Sequence, residues 1–357
     1  MTGIKNKNPA EIYLALPPQN PRYYLPLKNR SIFFKSLFLY RPASPGAVLK
    51  KRLLSWFYPI FPRGFPTTSL ERLTAEYDLE GLRNSLKALG TWAGVYIPPG
   101  GDKAIIQVLD EREEPAGFLK IGLTRRGGKL IKREVEVLGF LSETSPSSFS
   151  FPRVLSRGEE GGKFFAFLST PPRLASPSRI PLNLVLPVIR EVFSLCPRNL
   201  PLASSSHGKK ILERAALHPS LGERARLLAA SMGKRELPLG CAHYDFKLWN
   251  IFLRKETGKP FVIDWEFFKE EALPLWDLFT FLLMPRVLNS TGGKISPGKI
   301  IPALERTSET LGFRGLPFKE LLGLYLIDTA LFLKEYGHRD SRTSKTAEKL
   351  LAILEDL

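Results

Sequence analysis

Residues 237–268 read LPLGCAHYDFKLWNIFLRKETGKPFVIDWEFF, and this stretch decides the fold. Short apolar runs alternate with polar turns at a spacing too tight for helices. His243, Asp245 and Asn250 form the pattern H-x-D-x-x-x-x-N, and Asp264 follows in the run Val262-Ile263-Asp264-Trp265. Two carboxylates and an amide in this order suit phosphoryl transfer from a metal nucleotide. One carboxylate takes the proton of an incoming hydroxyl, while the other and an amide oxygen hold magnesium against the phosphates. With each residue type at a few per cent, the first pattern arises by chance about once in a hundred chains of this length, so it needs Asp264 beside it. That acid closes an apolar run, where a carboxylate is costly unless paired or bound to metal.

Such chemistry also asks for a lysine on a strand and a glutamate on the next helix. Lys120 ends the apolar run Gly117-Phe118-Leu119, and Glu134 lies 14 residues on, within IKREVEVL. Leu130, Ile131, Val137 and Leu138 flank Glu134 at three and four residues, so it sits inside the apolar stripe and needs a partner from elsewhere. Glu136 has Lys132 and Arg133 at those offsets and is satisfied on the helix surface. Around this pair, TWAGVYIP, KAIIQVLDE and GFLKIG read as strands of an antiparallel meander, with PRVLSRG and KFFAFLS as two more. A helical stretch, SLERLTAEYDLEGLRNSLKALG, precedes them. The turn Pro98-Pro99-Gly100-Gly101 falls where a flexible cover over phosphates is expected. From residue 169 onward the pattern is mainly helical.

Composition bounds the alternatives. The chain has 357 residues, 43% hydrophobic and 24% charged, which suits one large or two medium globular domains and excludes a mostly disordered chain. No apolar run reaches the roughly 18–20 residues needed to span a bilayer, and the best candidate, Leu321 to Leu333, contains Asp328. The polar start does not read as a secretory signal. Cys196 and Cys241 are the only cysteines and, with four scattered His, offer no zinc spacing. The expectation is a soluble protein of a reduced, cytoplasmic compartment.

The formal charge is +17, and most of it is local. Residues 1–66 hold 11 Lys/Arg against the single acid Glu11, and are rich in Pro and aromatics. Such asymmetry points to an anionic partner. Within residues 44–58, Ser44-Pro45 opens a helix that Pro59 ends. Leu49, Leu53, Trp56 and Phe57 share one face, and Lys50, Lys51 and Arg52 spread around the other. Such a helix either docks its stripe on the rest of the protein or lies peripherally on an anionic inner membrane face. Nucleic acid is not the expected partner, since the segment carries no known nucleic-acid module. The chain thus divides into residues 1–66, a basic extension; 67–168, the sheet-rich part; and 169–357, the helical part with the informative loop.

The residues Lys120, Glu134, His243 to Asn250, Ile263-Asp264-Trp265-Glu266 and Pro274-x-x-Asp277-Leu278 resemble the aminoglycoside phosphotransferase and choline kinase group of the protein-kinase-like superfamily, over residues 67–357. The resemblance implies an α+β, two-lobed fold: an antiparallel N-lobe sheet with one helix, then a mainly helical C-lobe. It implies ATP and Mg2+ as cofactors and a small-molecule hydroxyl as acceptor (a sugar, glycolipid headgroup or amino alcohol); the basic balance points to an anionic acceptor, and a similarity to phosphotransferase-like proteins of surface-polysaccharide biosynthesis to a glycan-derived one. By the same resemblance Asp245 is the catalytic base, Asn250 and Asp264 are metal ligands, and Lys120 is the phosphate lysine held by Glu134. Gly100 and Gly101 cover the phosphates, Leu168 to Thr170 form the adenine hinge, and His243 and Asp277 support the loop. Lys247 looks like the protein-kinase lysine that touches the transferred phosphate. The sequence departs from the pattern at Tyr244, where the group has Gly, and in lacking G-x-G-x-x-G. Asp264-Trp265-Glu266 in place of DFG argues against a protein substrate. A kinase-fold scaffold without turnover is the alternative reading.

Overall fold

The computed structural model describes residues 12–17, 21–27, 29–37, 49, 51–53, 56, 67–171, 174–175, 180–289, 297–336 and 341–357. The chain forms two compact units, residues 1–136 with 152–172 and residues 137–151 with 173–357.

The first unit is built on an antiparallel sheet. Its strands are β1 (Ile12–Leu16), β2 (Tyr23–Pro26), β3 (Thr67–Ser69), β4 (Thr91–Tyr96), β5 (Lys103–Leu109), β6 (Pro115–Gly122), β7 (Val154–Glu160) and β8 (Lys163–Ser169). Their spatial order is β3-β1-β2-β4-β5-β6-β8-β7. β4, β5 and β6 are the meander expected from sequence. β5 is buried along its whole length, as its near-continuous apolar run requires of a central strand. At Gly117 a Cβ would lie 2.3 Å from the Leu168 carbonyl oxygen, so only glycine lets β6 approach β8 there. Ala104, Ile106, Val108, Leu119 and Ile121 carry one face of the sheet into the core, joined by Tyr13 and Trp92.

Two features differ from the sequence reading. Part of the basic N-terminal segment adds strands: β1 pairs with β2 in the register Leu14↔Leu25, and β2 continues onto β4. Four prolines around these short runs hide their strand character, yet Tyr13, Leu14 and Leu25 are almost fully buried. The helical stretch before β4 is two helices, α2 (Leu70–Glu76) and α3 (Glu80–Ser85), following α1 (Arg30–Ser36). Asp78 adopts φ 50° between them, a left-handed conformation that no helix continues through. Ser69 caps α2 by accepting from the Arg72 N–H at 3.1 Å.

α4 (Arg125–Thr144) is the helix read from KLIKREVEVLGFL. Ile131, Leu138 and Leu141 are fully buried, which is the apolar stripe. Glu136 meets Arg133 at 3.5 Å, whereas Lys132 turns to Glu159 at 3.6 Å.

The second unit is mainly helical. Its helices are α5 (Leu182–Phe193), α6 (Ser206–Ala216), α7 (Pro219–Met232), α8 (Trp276–Asn289), α9 (Pro297–Thr310), α10 (Phe318–Tyr336) and α11 (Ser341–Glu355). Between them lie two small antiparallel sheets. β10 (Arg198–Pro201), β11 (Glu236–Ala242) and β14 (Lys269–Ala272) form one, with β11 central. β9 (Leu174–Ala175), β12 (Ile251–Arg254) and β13 (Pro260–Val262) form the other. α10 carries the buried Asp328 in its middle, inside the apolar run that is too short to span a bilayer.

Candidate functional site

In the first unit, Lys120 sits on β6 opposite Ile105 of β5 and Ala166 of β8. Its Nζ donates to Glu134 Oε1 at 2.8 Å and Oε2 at 2.7 Å. The two side chains are 5% and 1% exposed, so this is a buried ion pair in which both carboxylate oxygens are engaged. β6 alternates its side chains, and the pair forms because α4 turns Glu134 toward Lys120 from within its apolar stripe. Gly100 and Gly101 lie at the tip of the β4–β5 turn with φ 97° and 68°, where the Gly101 N–H donates to the Pro98 carbonyl at 3.1 Å. Leu168 is buried in β8 across from Phe118, and Thr170 follows the strand's end.

In the second unit, β11 runs directly into the loop 243–250. His243 is fully buried. Its Nδ1 accepts from the Asp245 N–H at 3.3 Å, which puts the ring proton on Nε2, 2.9 Å from the Ile263 carbonyl. Asp277, in the first turn of α8, accepts from the His243 N–H at 2.7 Å and the Tyr244 N–H at 2.9 Å. Burial pushes the Asp277 carboxyl up from its ordinary value, against the opposing pull of His243 and these two N–H groups. Asn250 Nδ2 donates to the Asp245 carbonyl and to Asp245 Oδ2, both at 2.9 Å. Lys247 Nζ is ion-paired with Asp245 Oδ1.

Asp264 stands just beyond β13 with φ 64° and ψ 59°, a left-handed position that Asp tolerates better than most residues. The turn that carries it is sewn to the loop, because the Ile263 N–H donates to the Asn250 carbonyl at 3.0 Å and His243 Nε2 meets the Ile263 carbonyl. Trp265 completes the support. It is fully buried, donates from Nε1 to the Val262 carbonyl at 2.9 Å, and packs on His243 with ring centroids 4.5 Å apart. His243, Asp245, Lys247, Asn250 and Asp277 are thus held in one bonded assembly, and the turn that carries Asp264 is tied to it through Ile263. Among the described residues, no three His, Cys, Asp or Glu side chains cluster as a metal cage.

Sequence reasoning missed a second cluster behind this loop. Tyr244, at φ 69°, sends its hydroxyl to Asp328 Oδ2 on α10. Arg214 of α6 reaches Asp328 Oδ1 at 2.5 Å and grips Glu335 with Nε and Nη2, each at 3.0 Å. His207 Nδ1 accepts from the Leu273 N–H at 3.0 Å, so its Nε2–H faces Asp328 Oδ2, 3.7 Å away. Burial pushes the Asp328 carboxyl up, but His207, Arg214 and Tyr244 together hold it below its ordinary value. Burial and the neighbouring Asp328 push the Tyr244 phenol up. An acid inside an apolar helical run was the available signal. Its partners, on α6 and in the loop, are too distant in sequence to be read from spacing.

No family model matches the chain, and no curated protein matches it. Solved structures do. The GDP complex of aminoglycoside 2'-phosphotransferase-IIIa is 13% identical, with 79% of this chain and 99% of that chain covered and a TM-score of 0.51. The GDP complex of a mutant of the same enzyme is 14% identical, with 79% and 96% covered and the same TM-score. The chain has the aminoglycoside phosphotransferase fold. The eight-stranded sheet and the helical unit are the two parts of this protein-kinase-like architecture. Aminoglycoside phosphotransferase APH(3'')-Id from Streptomyces rimosus is also similar, at 16% identity, 79% and 98% coverage and a TM-score of 0.44.

Proposed function

We propose that the protein transfers the γ-phosphoryl group of ATP to a hydroxyl of a small molecule. The carrying observation is the bonding of Asn250 to Asp245 with the turn before Asp264 tied to that loop through Ile263, Asp277 fixing the loop backbone and Trp265 packed on His243. In the proposed step the acceptor hydroxyl gives its proton to Asp245 as its oxygen attacks the γ-phosphorus in line. The bond to the bridging oxygen breaks and ADP leaves. Lys247, already on Asp245, orients that carboxylate and meets the transferred phosphoryl. Lys120, held by Glu134, binds the nucleotide phosphates, the Gly100–Gly101 turn covers them, and the backbone of Leu168 to Thr170 takes the adenine. Residues 67–168 thereby hold the nucleotide and residues 169–357 supply the chemistry.

Magnesium fits the donor set. Asn250 spends its amide nitrogen on Asp245, which leaves Oδ1 for a cation, and Asp264 adds a carboxylate. One carboxylate plus an amide oxygen suits an ion that takes its remaining ligands from phosphates and water rather than from a protein cage. When bound, Mg2+ would neutralise charge developing on the phosphates.

The acceptor is a sugar, a glycolipid headgroup or an amino alcohol, and the chain's basic balance favours an anionic one. A screen of metabolite pools with labelled ATP tests the reading. The wild-type chain labels a discrete product, and Asp245→Ala lowers its rate by about 10²–10⁴-fold, the usual worth of a positioned base. A nucleotide-binding scaffold without turnover is the alternative reading, supported by Tyr244 in the loop and by the lack of G-x-G-x-x-G; ATP binding without any labelled product would favour it.

The basic N-terminal segment supports a peripheral contact with anionic lipid. Among the described residues of 44–58, positions 49, 51–53 and 56 are helical, and Leu49, Leu53 and Trp56 are exposed, Trp56 by 82%. Ser44, Pro45, Lys50, Phe57 and Pro59 lie outside the described residues. No helix among the described residues is long and apolar enough to cross a membrane. Co-sedimentation with phosphatidylglycerol vesicles, reduced in a Leu53→Ser, Trp56→Ser variant, is the expected result. Equal binding by the variant would reject the contact.

A further inference from the structure

The chain's two cysteines, 45 residues apart in sequence, meet in space. β10 and β11 pair antiparallel with Arg198↔Leu239 and Asn199↔Pro238. Cys196 lies two residues before Arg198 and Cys241 two residues beyond Leu239, so both stand at the same end of this ladder. The end of α5 fixes this approach, because at Gly240 a Cβ would lie 2.0 Å from the Phe193 carbonyl oxygen. Cys241 Sγ donates to the Glu270 carbonyl at 3.8 Å, and the Cys196 thiol lies near enough to act on it. Both are free thiols, Cys241 buried and Cys196 partly exposed. The phosphotransfer reading uses neither.

We propose that Cys196 and Cys241 form a site of reversible thiol oxidation, taking a low-molecular-weight disulfide such as oxidised glutathione as the oxidant. The exposure difference sets the order of events. The Cys196 thiolate attacks one sulfur of the oxidant, forming a mixed disulfide and expelling one small thiol. Cys241 then gives up its proton and attacks Cys196 Sγ, expelling the second small thiol. Two protein thiols are oxidised to one disulfide, and one small disulfide is reduced to two thiols. The second step is the slow one, since burial pushes the Cys241 thiol up and the thiolate is the attacking form. In a reducing compartment the pair returns to thiols.

The bond would close a ring holding α6 and α7. α6 carries His207 and Arg214, the groups that hold Asp328 and through it Tyr244, and β11 runs into His243. Oxidation therefore staples both ends of the segment that backs the loop, independently of whether the loop transfers phosphate.

The test is incubation of the folded full-length chain with oxidised glutathione, followed by peptide mapping without reductant and by thermal unfolding. The expected result is an intramolecular link between the peptides holding residues 196 and 241, reversed by dithiothreitol. It should raise the unfolding midpoint by an amount on the order of 10 °C for a loop of this length. Cys196→Ser should leave Cys241 unmodified, and Cys241→Ala should stop at a mixed disulfide on Cys196. A wild-type chain that halts at the mixed disulfide, forms only intermolecular dimers, or cross-links only in denaturant would overturn the proposal.

Discussion

Removing Glu134 should unfold the first unit more readily for a reason that can be worked from the ion pair. Glu134→Ala leaves the Lys120 ammonium in place on β6, with 5% of its side chain exposed and both of its carboxylate bonds gone. Breaking one side of a buried pair costs about 3–5 kcal/mol, because the surviving charge stays desolvated. At about 2–4 °C per kcal/mol for a domain of this size, the midpoint should fall by roughly 10 °C. Urea titration followed by circular dichroism measures the free energy, and calorimetry measures the midpoint. The double variant Lys120→Met, Glu134→Leu removes both charges and should recover to within about 1 kcal/mol of the parent, since apolar replacement of a buried pair is close to neutral. ATP affinity should be lost in the double variant although its fold is kept. A single variant that loses under about 1 kcal/mol would show that Lys120 reaches water, and the reasoning would fail. So would a double variant as unstable as the single one.

Other outcomes follow from the second unit. Asp277→Ala orphans the buried His243 N–H, at about 1–3 kcal/mol, and the half-buried Tyr244 N–H, and amide exchange at both should accelerate more than elsewhere. Tyr244→Phe removes the hydroxyl that Asp328 accepts; kcat should drop with KM for ATP unchanged, and a change confined to KM would place Tyr244 in nucleotide binding instead. The folded value of Asp328 lies below its ordinary 3.8, so its stabilisation is present above that pH and is lost as pH falls through the depressed value. Asp277 runs the other way: its value is raised, so acidification through the interval above 3.8 favours the folded chain at that group. Arg214→Met weakens the hold on Asp328 and should move the acid-unfolding limb to higher pH; an unmoved limb would dismiss Asp328 as its source.

How much of this was open to sequence reading depends on the range of the interaction. The Lys120–Glu134 partnership was legible because an acid inside an apolar stripe has few ways to be satisfied, and the strand before it offered a lysine. The meander was legible from alternation and Gly/Pro turns, and the loop from a fixed short spacing of His243, Asp245 and Asn250. β1 and β2 were hidden because their prolines resemble linker punctuation, while their burial comes from pairing with β3 and β4. The break at Asp78 was hidden because apolar spacing continues across it. The Tyr244–Asp328–Arg214 cluster joins residues up to 114 positions apart, and no local pattern encodes which helices will meet. Lys247 was read as a phosphate contact; its pairing with Asp245 depends on a loop geometry that spacing alone does not give.

In the proposed function Asp264 and Asn250 jointly hold the metal of a nucleotide whose phosphates face Asp245. Calorimetric titration of the full-length chain with ATP, with and without Mg2+, tests it most directly when run beside Asp264→Ala. Mg2+-dependent binding to the parent and none to the variant is the expected result. Binding that is identical in the two proteins, or absent from the parent under both conditions, would contradict it.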